Sequence, residues 1–167
     1  LGIAYKNLGD IKMSRKFYRE SISLKEILGD KKGIAYGFNN VGELFQKEDN
    51  YSEALANFRN SFQLLDSLDD KRGMSIVLSN MADVNLRIGN YQKTIDLVYQ
   101  TIEIDEGYDD KYSLSVSYLL LAEALGSTKR YQEALKALKM AEDLSREIGA
   151  LKVYYQSQVL KANFLDE

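Results

Sequence analysis

The side chains in this sequence that could do chemistry are carboxylates, amines, guanidinia, phenols, hydroxyls and amides. Its 167 residues include no His and no Cys. That removes imidazole and thiolate nucleophiles, disulfides and every His- or Cys-built metal site. The densest acidic cluster, Glu103, Asp105, Glu106, Asp109 and Asp110, lacks the alternating ligand spacing of a calcium loop and reads as a solvated turn. Carboxylate pairs occur, but no neighbour splits their pKa values into an acid and a base, so they read as surface charge. No phosphate loop or dinucleotide fingerprint is present. No catalytic residue, metal or cofactor is expected.

Two stripes instead carry binding chemistry. Tyr36, Asn40, Glu43 and Lys47 fall on one side of a helical periodicity, and Ile76, Asn80, Asp83 and Arg87 repeat the pattern 40 residues on. Asn39 and Ser79 stand beside them. An Asn offers a donor and an acceptor together, which suits either an extended peptide backbone or a neighbouring helix. Glu43 with Lys47, and Asp83 with Arg87, stand at i, i+4 with the acid first, a helix pair worth about 0.2–0.5 kcal/mol. A third stripe, Val116, Leu120 and Glu123, is more apolar and could form a shallow pocket with Ile76.

These stripes are positioned by a repeat. Asp30-Lys31, Asp70-Lys71 and Asp110-Lys111 recur every 40 residues, as do Ile11, Tyr51, Tyr91 and Tyr131. The apolar residues Ile34, Phe38, Val41 and Phe45, then Tyr51, Leu55, Phe58, Phe62 and Leu65, step at helical spacing. Gly9-Asp10, Gly29-Asp30, Asp49-Asn50, Asp69-Asp70 and Gly89-Asn90 punctuate them as turns. Helices of about 15 residues joined by such turns must pack antiparallel. The spacing predicts units at 1–32 (partial), 33–72, 73–112, 113–152 and 153–167 (partial), with both ends cut and free to self-associate.

The units resemble tetratricopeptide repeats. Phe38, Val41-Gly42, Phe45, Asn50-Tyr51, Ala54, Phe58 and Ser61 follow that family's pattern, as do Tyr118, Leu121-Ala122, Leu125, Tyr131, Ala134, Leu138 and Ala141. In the third unit Asn85 replaces the aromatic. It is expected to bond a backbone carbonyl or to leave a small polar gap that Tyr would fill. The resemblance implies an all-α, right-handed α-solenoid of antiparallel helix pairs, with Tyr5, Tyr18, Tyr51, Tyr91, Tyr118 and Tyr131 in the core. The 40-residue length is similar to repeats of bacterial sensor histidine kinases and regulators, Rap-type proteins and Pins/LGN adaptors.

The resemblance also implies a concave groove lined by the first helix of each unit. Tyr36, Asn39, Asn40, Glu43, Lys47, Ile76, Ser79, Asn80, Asp83, Arg87, Val116, Leu120 and Glu123 would face it. The function implied is a non-catalytic protein- or peptide-binding scaffold; the alternative is a sensory or regulatory segment of a signalling protein. The basic clamp of chaperone-tail-binding members is missing, since those places carry Tyr36, Asn39, Asn40, Glu43, Ile76 and Ser79. Lys and Arg total 22 against 25 Asp and Glu, interspersed, so no nucleic-acid partner is expected. No apolar run reaches the roughly 20 residues of a membrane span. Cysteine absence suits a cytoplasmic or a periplasmic location alike, and leaves the compartment open.

Overall fold

A computed structural model describes residues 1–165. Nine helices and no strand are found among the described residues: α1 (Gly2–Asn7), α2 (Ile11–Ile27), α3 (Lys31–Lys47), α4 (Tyr51–Ser67), α5 (Lys71–Arg87), α6 (Tyr91–Gly107), α7 (Lys111–Ser127), α8 (Tyr131–Glu147) and α9 (Leu151–Leu165). From α2 onward a helix begins every 20 residues, and α2 to α8 each have 17. None of the described helices is long and apolar enough to cross a membrane.

The 20-residue beat comes from the turns. Each of the eight turns between these helices holds a residue with positive φ: Gly9, Gly29, Gly89 and Gly149 at four of them, and Asp49, Asp69, Asp109 and Lys129 at the other four. The next amide folds back onto the helix just left, as in Asp30 N–H to the Lys25 carbonyl at 2.9 Å and Asn50 N–H to that of Phe45 at 2.9 Å. Orphan carbonyls are satisfied in this way. The same residue then caps the following helix: Asp30 accepts from the Gly33 amide at 2.8 Å, Asp70 from Gly73 at 3.0 Å and Asp110 from Ser113 at 3.1 Å. Gly33 therefore lies inside the first turn of α3, and the helices start two residues earlier than the 33–72 phase of the repeat.

The chain divides into two compact units, Leu1–Asn80 and Met81–Glu167. In the first, α1 packs on α2, α2 on α3 and α3 on α4. Small residues let these backbones approach: a Cβ on Gly2 would lie 2.7 Å from the Tyr18 ring, and one on Gly42 2.6 Å from that of Phe58. Ser14 and Ser61 are fully buried and donate across to the carbonyls of Gly2 (2.8 Å) and Ala35 (2.7 Å). Leu44, Phe58 and Leu65 lose all solvent contact, each worth about 1.5–3 kcal/mol.

In the second unit α6 packs on α7, α7 on α8, and α9 on both α7 and α8. Its fully buried side chains include Val84, Val98, Leu125 and Leu138. Thr94 donates to the Ala82 carbonyl at 3.3 Å, the same contact that Ser14 makes to Gly2. Glu142 of α8 is buried yet satisfied by Gln158 and Lys161 of α9 and by Arg146, as a buried charge requires.

The tyrosines depart from expectation. Tyr18 is buried, whereas Tyr5, Tyr51, Tyr91, Tyr118 and Tyr131 are only half-buried. A tyrosine ring can pack while its hydroxyl keeps a polar partner, as in the Tyr51 bond to Asp49 at 2.7 Å.

Candidate functional site

In the first unit a polar chain joins three first helices. The Asn80 amide of α5 donates to the Asn39 carbonyl oxygen at 2.9 Å, and Asn39 of α3 donates to Glu43 at 2.9 Å. The second Glu43 oxygen accepts from Lys6 of α1. Asn39 is only 4% exposed, so both of its hydrogen bonds run in a largely dry place, where they hold most strongly. The pairing of Glu43 with Lys47 read from the sequence is replaced: Glu43 turns to Lys6 and Asn39, and Lys47 is exposed to solvent. The reason is geometric, since α1 brings an amine to the same carboxylate without requiring an intrahelical rotamer.

Tyr36 is anchored nearer the start of α3. Its hydroxyl donates to Asp70 at 3.4 Å, Lys32 reaches the same carboxylate at 2.8 Å, and the Lys32 ammonium lies 5.9 Å from the Tyr36 ring centre. Burial first, and the Asp70 charge second, hold the Tyr36 phenol above its ordinary pKa. Asp70 is held below its ordinary value, mainly by the Lys32 bond and then by the Gly73 amide. Asn40 is half-buried beside a cleft of about 500 Å³ that Leu1, Ile3, Tyr18, Leu24 and Gly37 also line. Ser79 is half-buried and Ile76 is 45% exposed.

The second unit holds the remaining candidates. Arg87 and Asp83 form the expected i, i+4 pair, with Nε to Oδ2 at 3.0 Å. Glu123 of α7 is exposed. Desolvation and then the Asp83 charge raise its pKa, while Arg87 draws it down. Val116 and Leu120 are half-buried on α7. Asn85 is buried, donates to the Met81 carbonyl at 2.7 Å and accepts from Asn90 at 3.3 Å. The backbone-carbonyl bond expected of it is formed.

Sequence reasoning missed three partners: Lys6, Lys32 and Asp70. Lys6 and Asp70 each lie more than 30 residues from the side chain that they meet, and Lys32 reaches Asp70 across a similar gap, so no local spacing could reveal them. It also passed over Lys12, Arg15, Lys16 and Arg19 of α2, which rim an open cleft of about 620 Å³ with Glu20 and Glu48. Their helical spacing was readable. Two of the four are spoken for, since Arg15 pairs with Glu48 and lies 4.4 Å over the Phe45 ring, and Lys16 approaches Glu20 at 3.9 Å. The acidic cluster at 103–110 is dispersed in role: Asp105 is buried, Asp109 adopts positive φ and Asp110 caps α7. No group of three or more metal-ligating side chains gathers among the described residues.

Comparison with known proteins agrees with this architecture. The chain is similar in fold to BtubC (BKLC) from P. vanneervenii, at 15% identity and a TM-score of 0.80 over 89% of this chain and 61% of that one. It is also similar to the STAND protein with a tetratricopeptide repeat sensor from Pyrococcus horikoshii, at 19% identity and a TM-score of 0.85 over 96% of this chain and 25% of that one. The chain thus spans about three fifths of the first and a quarter of the second. No curated protein matches it in sequence. Tetratricopeptide repeat family models match residues 33–106 and 73–147, and a second such model residues 1–27. On that coverage the chain belongs to the tetratricopeptide repeat family.

Proposed function

We propose that this chain is a non-catalytic scaffold whose repeat first helices hold a protein or an extended peptide segment. A tetratricopeptide fold is consistent with a protein-interaction scaffold. The observation that carries the finer reading is the polar chain Lys6–Glu43–Asn39–Asn80. Buried Asn39 holds the half-buried Glu43 and Asn80 side chains in place along the first helices of the first unit, so little side-chain entropy is lost when a partner arrives. In the second unit Val116 and Leu120 supply apolar surface on the corresponding helix face. Interspersed charge argues against nucleic acid. The sensory reading uses the same faces and differs only in what is attached to them.

The test is selection of peptides from a displayed library of about 12-residue segments against the chain, followed by titration of the Asn40→Ala, Asn80→Ala double variant. Peptides that bind the parent and lose about tenfold or more on the folded variant, roughly one and a half hydrogen bonds' worth, support the reading. Unchanged affinity, or protection from hydrogen exchange confined to the second helices α2, α4, α6 and α8, would overturn it.

A further inference from the structure

The face presented by α7 is chemically unlike that of α3. Between Lys111 and Glu123 α7 holds no charged residue. A helix apolar on every side is ordinarily buried on every side. Here Val116, Leu119 and Leu120 remain only half-buried, as does Leu160 of the adjoining α9. The stripe ends at Glu123, whose carboxyl feels both Asp83 and Arg87. Glu123 is itself exposed and acidic, so the apolar stripe closes on a negative charge open to solvent.

We propose that this face of the second unit takes an extended peptide in which an apolar side chain and a lysine or arginine stand two residues apart. This rests on the peptide-binding reading above. The spacing follows from the helix. From the midpoint of Val116 and Leu120 to Glu123 is about five residues, or about 7.5 Å at 1.5 Å per residue. An extended chain lying along α7 covers that in about two residues, which returns its side chain to the same face. Charge complementarity selects the cation. A glutamate there would meet the like charge of Glu123.

The test uses the whole chain and three fluorescein-labelled peptides in a Gly/Ser background, bearing Leu-x-Lys, Leu-x-Glu or Ser-x-Lys, alongside the same displayed library. Fluorescence anisotropy should rank Leu-x-Lys first, with Glu in place of Lys weakening binding about fivefold. Glu123→Lys should reverse that preference, and Leu120→Ser should weaken the Leu peptides about tenfold. The charge swap at an exposed position carries the test even if Leu120→Ser unfolds. A Lys-over-Glu preference that is absent, or that survives Glu123→Lys, overturns the proposal. If library peptides still protect the first helices, only this proposal falls. If no peptide protects them, the groove reading falls with it. Concentration-dependent protection of α7 without peptide would mean that a second copy occupies the face, and also overturns it.

Discussion

Gly42→Ala should destabilise the chain, although Ala is the better helix former. Gly42 lies within α3 against Phe58 of α4, and an added Cβ would sit 2.6 Å from one ring carbon, 2.7 Å from a second and 3.1 Å from a third. Phe58 is fully buried, so its ring cannot swing into solvent, and relief requires the two helices to separate. Overpacking of that kind costs about 1–3 kcal/mol. Alanine returns about 0.5–1 kcal/mol through backbone entropy, which leaves a net loss of about 1–2 kcal/mol. Gly107, the last residue of α6, has nothing within 4 Å of where its Cβ would be. Gly107→Ala should therefore gain up to about 1 kcal/mol. Urea unfolding followed by far-UV circular dichroism reads both as midpoint shifts of opposite sign. Phe58→Leu supplies the cause: with the ring edge removed, Gly42→Ala should cost about 1 kcal/mol less, a coupling measurable in a double-mutant cycle. A stabilising Gly42→Ala, or zero coupling with Phe58→Leu, would refute the close-approach account.

Three further outcomes rest on the same kind of geometry. Lys129 holds φ at 61° where four other turns use glycine, so Lys129→Gly should stabilise the chain in urea by about 0.5–1 kcal/mol after the entropic penalty of glycine is subtracted. Asp70 is held below its ordinary pKa in the folded state, so its stabilisation is present above the unfolded value of about 3.9 and is lost as pH falls through the folded one. The stability gap between the parent and Asp70→Asn should accordingly be below about 1 kcal/mol at neutral pH and close in acid; a gap that widens in acid would reverse the sign of the argument. Asn85→Tyr should lower the melting temperature, by about 1–3 kcal/mol in stability, because it removes the bond to the Met81 carbonyl and the one from the Asn90 amide; a neutral result would show that those bonds contribute nothing.

The amino-acid sequence by itself determined the periodic part of this protein. Helix starts, stops and antiparallel pairing follow from a turn residue every 20 positions, joined by side-chain caps at Asp10, Asp30, Asn50, Asp70 and Asp110, and both act within a few residues of themselves. Gly42 and Ser61 were legible for the same reason, since a repeated small residue marks a repeated close approach. The Asp83–Arg87 pair was readable because its partners lie one helical turn apart. Tertiary structure decided which polar atoms meet. Glu43 could choose between Lys47, one turn away, and Lys6, 37 residues away, and only the packing of the first helices settled it. Asn80 likewise found Asn39 across 41 residues. Tyr36 looked like an open groove residue until the N-terminus of α5 brought Asp70 to its hydroxyl. Local spacing fixes a backbone because its hydrogen bonds are short-range in sequence; a groove is made of side chains on different helices, whose pairing depends on how those helices pack.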